Sequence, residues 1–127
     1  VSAAASAALV AAGGALGAVL RFWLSGLVMR FAGAGWPWGT LAVNVLGGFA
    51  MGLLAGWLAG RAEGGQALRL FLGVGLLGGF TTFSAFSLEI MGLLERREIA
   101  SALGYAGLSV FATLAALAAG LALMRSA

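Results

Sequence analysis

Apolar residues run along this chain in four long blocks, parted by short polar or glycine-rich stretches. A helix needs about 20 apolar residues to cross the hydrocarbon core of a bilayer. The blocks cover about residues 5–31, 38–59, 70–94 and 99–124, and each is long enough. Alanine and leucine dominate them and strict alternation is missing, so they predict helices and not barrel strands. Gly33-Ala34-Gly35-Trp36-Pro37-Trp38 forms the first link, with its tryptophans suited to a membrane interface and Pro37 where a helix start tolerates it. Arg61-Ala62-Glu63-Gly64-Gly65 and Glu95-Arg96-Arg97-Glu98 form the others. Links this short make neighbouring spans antiparallel. Residues 2–10 carry an Ala-x-Ala pattern like a signal peptide. The stretch has no basic residue of its own and the apolar run continues past it, so it counts as part of the first span. The expected fold is an all-α integral membrane protein, one domain over residues 1–127 with four transmembrane helices.

Polar residues inside the blocks are few, so each one matters. The run Gly78-Gly79-Phe80-Thr81-Thr82-Phe83-Ser84-Ala85-Phe86-Ser87 gathers hydroxyls and paired glycines in the middle of the third block. Backbone that cannot stay helical at membrane depth must be buried in protein or line a wet cavity. The run therefore predicts a third helix broken mid-membrane. An unwound turn frees carbonyls for a cation, and the next half-helix turns N–H groups toward an anion. Phe80, Phe83 and Phe86 are spaced by three and are expected on one side, either as core packing or as ring edges along an anion path. Glu89 is the only acid inside a block. It is open to three roles: proton carrier, salt-bridge partner of Arg21, or vestibule residue.

On the second span Thr40 and Asn44 share a face. The Asn44 amide must find partners, either to lock two helices together or to meet an ion. On the fourth, Ser101, Tyr105, Ser109 and Thr113 recur every fourth residue, a slowly drifting polar line on an Ala/Leu/Gly helix. Single hydroxyls often bond back to their own helix, but four in register point to a hydrated track. Gly48, Gly52 and Gly56 form a smooth stripe for close helix packing. For Gly13 and Gly17, packing and mere membrane composition stand equally open.

Composition narrows the chemistry. The chain is 62% hydrophobic and 9% charged, with mean hydropathy +1.08, too little polar surface for a soluble domain. All basic residues are Arg and all acids are Glu; His, Cys, Asp and Lys are missing. That excludes disulfides, thiolate metal sites and a histidine base, and an enzyme is not expected. The net charge of +3 reflects a few arginines at span ends, so no nucleic-acid partner is expected. Gly73-Val74-Gly75-Leu76-Leu77-Gly78 matches GxGxxG but lacks the strand and soluble βαβ unit of a dinucleotide site. Four spans put Arg61, Arg69 and Arg125 on one side and Arg30, Arg96 and Arg97 on the other, with Arg21 inside the first span. Three against three gives the positive-inside rule nothing to act on. Insertion in both orientations, with pairing as an antiparallel homodimer, is the expectation. Four thin helices can hardly enclose a pore alone.

Three motifs together resemble the Fluc (CrcB) fluoride channels over nearly the whole chain. They are Gly13-Gly14-Ala15-Leu16-Gly17-Ala18 with Arg21, Gly39-Thr40-Leu41-Ala42-Val43-Asn44-Val45-Leu46-Gly47, and the run from Gly78 to Ser87 with Glu89. The resemblance implies a dual-topology homodimer in the inner cell membrane, with two antiparallel pores that passively export fluoride trapped inside as the anion. It also implies a structural sodium ion at the dimer interface on the backbone carbonyls of Gly78 and Thr81. Phe83 and Phe86 match the family's aromatic box and Asn44 its anion-contacting amide. Tyr105, Ser109 and Thr113 match its polar track, with Thr40 beside them, and Thr113 stands where Ser is expected. Arg21 and Glu89 fall near the pore entrance. Two other functions remain open on sequence: a small multidrug-type proton-coupled exporter, which would have to rely on Glu89, and a non-transporting scaffold of Gly-rich helices.

Overall fold

The computed structural model describes residues 1–61 and 63–126; Ala62, in the expected second link, and Ala127 lie outside them. Among the described residues, four helices are long and apolar enough to cross a membrane: Ala3–Ala32, Trp38–Ala59, Gln66–Glu95 and Ile99–Ser126. The ends have local causes. Ser2 Oγ accepts the Ala5 N–H at 3.1 Å and caps the first helix. Gly33, at φ 85°, stops it and donates its N–H to the Met29 carbonyl. Pro37 caps the second helix from just outside it. After the third, Arg97 adopts a left-handed φ of 61°. Its N–H bonds the Leu94 carbonyl while that of Glu98 reaches Leu93, both at 2.9 Å, closing a Schellman turn.

The third span is not uniformly α-helical. Gln66–Leu68 is α-helical, Arg69–Leu77 is π-helical, and Gly78–Phe80 is α-helical again. The Gly78 N–H reaches back five residues to Gly73. Glycines at 73, 75, 78 and 79 lower the α preference and remove side-chain crowding from this stretch. Thr81 (φ −92°, ψ 158°) and Thr82 (φ −150°, ψ 121°) are extended, and helix resumes over Phe83–Glu95.

Packing follows the glycines. The second helix lies longest against the fourth, and the first against the π-helical stretch. A Cβ on Gly48 would stand 2.8 Å from the Thr113 methyl, and one on Gly52 would overlap the Leu117 carbonyl. The stripe thus brings backbones together as its spacing predicts. Gly13 and Gly17 prove to be packing positions as well. Both are buried, and Cβ atoms there would overlap the carbonyls of Phe71 and Leu76. One small apolar cluster holds Leu41, Leu93, Ala102 and Tyr105, with Trp36, Val45, Phe86 and Ile90 packed on it, and Val43, Leu58 and Leu77 are buried as well. Large apolar side chains such as Phe22, Phe31 and Phe111 face outward, the arrangement of a chain whose solvent is lipid.

Candidate functional site

The site grows from Asn44. Its Oδ1 accepts the Thr82 N–H at 2.8 Å, and its Nδ2 donates to the Thr82 carbonyl at 3.1 Å. One side chain of the second span thus supplies both partners that the extended Thr82 backbone needs. A Cβ on Gly47, one turn along from Asn44, would overlap the Thr81 methyl. Glycine there makes room for the extended pair.

These bonds redirect backbone groups. In a continuous helix the Thr82 N–H would serve the Gly78 carbonyl, and the Ala85 N–H the Thr81 carbonyl. Here the first goes to Asn44, and the second goes to Thr82 Oγ1 at 3.0 Å. Both carbonyls lose their helical donors. Arg21 Nε donates to the neighbouring Gly79 carbonyl at 3.0 Å and holds it in place. The Phe83 and Ser84 N–H groups lie in the first turn of the resumed helix, where no intrahelical acceptor exists.

Beside the extended residues lies an open cavity of about 440 Å³, lined among others by Asn44, Thr82, Phe83, Phe86, Ser109 and Thr113. Its walls are chiefly apolar, so its few hydroxyls and amides stand out. Ser109 is 6% exposed and lies beside the Tyr105 hydroxyl, but among the described residues its Oγ has no partner within hydrogen-bond geometry. An unpaired buried hydroxyl costs about 1–3 kcal/mol, so a ligand or water that bonds it recovers that cost. Asn44 Nδ2 has a second hydrogen beyond the one given to Thr82.

Phe83 and Phe86 stack at 5.5 Å, and Phe86 lies 5.2 Å from Tyr105. Phe80 does not join them, which corrects the expectation of a single aromatic side. The extended residues between Phe80 and Phe83 cancel the helical spacing, and Phe80 packs near Gly47 instead. Glu89 also departs from one expected role. Its Oε2 accepts the Thr40 hydroxyl and its Oε1 the Tyr105 hydroxyl, both at 2.9 Å. Arg21 is committed to Gly79, so no Arg21–Glu89 salt bridge forms. Thr40, Glu89 and Tyr105 therefore make one knot across three spans. Tyr105 is fully buried, Ser109 nearly so, and Ser101 and Thr113 partly. Trp36, edge-on to Tyr105 at 5.1 Å, covers this knot from the first link. Sequence reasoning assigns it only to the membrane interface. Its neighbour Pro37 was a signal that the link is held rigidly.

A bundle of four apolar spans, flanking an open cavity with neutral donors, defines a multi-pass membrane protein. The family model described as CrcB-like protein, Camphor Resistance (CrcB), matches residues 8–121. The chain belongs to this CrcB family. It is 58% identical over 118 residues to the fluoride-specific ion channel FluC of Phenylobacterium zucineum, covering 92% of this chain and 93% of that one. The FluC of Novosphingobium aromaticivorans is 57% identical over 120 residues, 93% of this chain and 94% of the relative. That of Caulobacter vibrioides is 52% identical over 118 residues, 92% and 93% of the two chains.

Asn44→Leu removes both partners of Thr82 while keeping the bulk. Chemical denaturation in detergent should show a stability loss on the order of 2 kcal/mol or more. Unchanged stability would mean that Asn44 does not hold the extended backbone.

Proposed function

We propose that this chain is a fluoride-selective ion channel that passes the anion passively through the cavity beside Thr81 and Thr82. The reading rests on one observation above the rest: that cavity offers an anion only neutral donors, among them the unpartnered Ser109 Oγ. The fluoride-specific relatives, at 52–58% identity over more than nine-tenths of the chain, supply the ion's identity.

Fluoride is small and holds its water tightly, so a conduit must replace that shell with strong hydrogen-bond donors. Asn44 Nδ2, Ser109 Oγ and the Thr113 hydroxyl act as such donors, and the Phe83 and Phe86 ring edges carry the positive end of their quadrupole toward the path. Among the described residues, no formal cation lines the cavity. That suits conduction, because a fixed positive charge would hold the ion too firmly to release it. Thr40 and Tyr105, tied to Glu89, continue the polar line toward the first link. Arg21 fixes the Gly79 carbonyl beside the extended residues and Glu89 fixes the hydroxyls of Thr40 and Tyr105, and the two do not pair with each other. The membrane potential supplies the driving force, and flux needs no coupled proton. The small-exporter reading gains nothing from Glu89, whose oxygens are both engaged within the bundle.

The working unit in this reading is an antiparallel homodimer of dual topology in the inner cell membrane, with two pores and with Thr81 and Thr82 breaking the third helix at mid-membrane. Three features support it: balanced arginines, a cavity open along one side, and Phe83 left 78% exposed at its edge. A second copy would close the wall and cover the ring. The Gly78 and Thr81 carbonyls, released from their helical donors, would hold a structural sodium ion at the interface. Bound there, the ion supplies fixed charge that compensates the gathered carbonyl dipoles.

Liposomes carrying the purified protein should release fluoride and retain chloride. Phe86→Ile should cut fluoride efflux at least tenfold; an unchanged rate would remove Phe86 from the path. A reporter fused to the C-terminus should appear on both faces of the membrane, and its confinement to one face would reject dual topology.

A further inference from the structure

A second cavity lies between the second span and the π-helical stretch and meets the first at Met51. It is a groove of about 400 Å³ lined by Met51, Leu54, Leu58, Gly73 and Val74, with Arg69 at its end. Apart from that guanidinium the walls are apolar. Along the second helix the groove runs from Met51 to Ala59. Eight residues at 1.5 Å rise give about 12 Å. One leaflet of a hydrocarbon core about 30 Å thick is about 15 Å deep. The groove therefore matches one leaflet in depth, from headgroup level toward the bilayer centre.

The charged end is marked twice. Arg69 is exposed and, among the described residues, forms no salt bridge. Arg61, at the end of the same helix pair, lies 3.8 Å over the Trp57 ring. Tryptophan at a span end belongs to the membrane–water interface. The guanidinium of Arg69 thus sits at headgroup height above an apolar slot one leaflet deep. A π-helical stretch forms one wall, with Gly73 where a larger side chain would fill the slot: its Cβ would already stand 3.3 Å from the Leu54 methyl.

We infer that this groove is a binding site for an anionic phospholipid, which lays one acyl chain along Leu54, Leu58 and Val74 and sets its phosphate on Arg69. Planar guanidinium suits a phosphodiester because it donates two parallel hydrogen bonds. A zwitterionic lipid brings a cationic group to the same arginine and loses that advantage. The site touches the third span through Arg69, Gly73 and Val74, none of which lines the ion cavity.

Native mass spectrometry of the full chain in detergent, with phosphatidylglycerol or phosphatidylcholine added, tests this. Phosphatidylglycerol should be retained about fivefold better, the scale of one basic residue at a membrane surface. Arg69→Gln should erase that preference, and Arg125→Gln, at the end of the fourth span, should preserve it. Gly73→Leu, which fills the slot, should lower retention of phosphatidylglycerol. Equal retention of the two lipids, or a preference that survives Arg69→Gln, would overturn the assignment. So would Val74→Cys, the sole thiol in that variant, cross-linking two copies in membranes, since the groove would then be a protein interface.

Discussion

The pairing of the Asn44 amide with both backbone groups of Thr82 is the constraint from which the rest follows. Two extended residues between apolar helices would otherwise leave N–H and C=O groups without partners where water is scarce, at several kcal/mol each. A carboxamide is the one side chain in this sequence's inventory that offers a donor and an acceptor side by side in the needed geometry. Its bonds to Thr82 also decide what happens to the Gly78 and Thr81 carbonyls, which lose their helical donors as a direct result. Glycine at 47 is the steric half of the same arrangement, since any side chain there would strike Thr81.

Packing and chemistry share the same economy of polar atoms. The second and fourth helices touch through glycine, which brings the Asn44 and Ser109 faces toward one cavity. At one end of the polar line Glu89 consumes the hydroxyl hydrogens of Thr40 and Tyr105. Farther along, the Ser109 hydroxyl has no such acceptor among the described residues. Donors are thus tied near the carboxylate and available beside the phenyl rings. An anion is held best where no negative charge competes for those donors.

Much of the scaffold could be read from the chain itself, because membrane helices announce their length through hydropathy. The Gly48–Gly52–Gly56 stripe could be read for a similar reason: a spacing of four survives in any straight helix. The π-helical turns over Arg69–Leu77 could not, since π and α turns draw on the same apolar and glycine residues and differ only in how the ladder closes. Phe80 was placed with Phe83 and Phe86 by counting helical turns, and counting fails across two extended residues. The partners of Glu89 were also hidden. Choosing Thr40 and Tyr105 over Arg21 requires knowing that Arg21 is spent on the Gly79 carbonyl, a contact across 58 residues.

Membership in the CrcB family and the geometry of this cavity meet at Ser109, a buried hydroxyl with no partner in hydrogen-bond geometry among the described residues. If the cavity is the ion's path, that oxygen must be reachable from water and the ion must compete for the space around it. The natural chain has no cysteine, so Ser109→Cys carries a single thiol. The account predicts that a small water-soluble methanethiosulfonate modifies it in proteoliposomes and that millimolar fluoride, unlike chloride, slows the reaction. A thiol that stays unreactive, or reacts at the same rate in both salts, would contradict it.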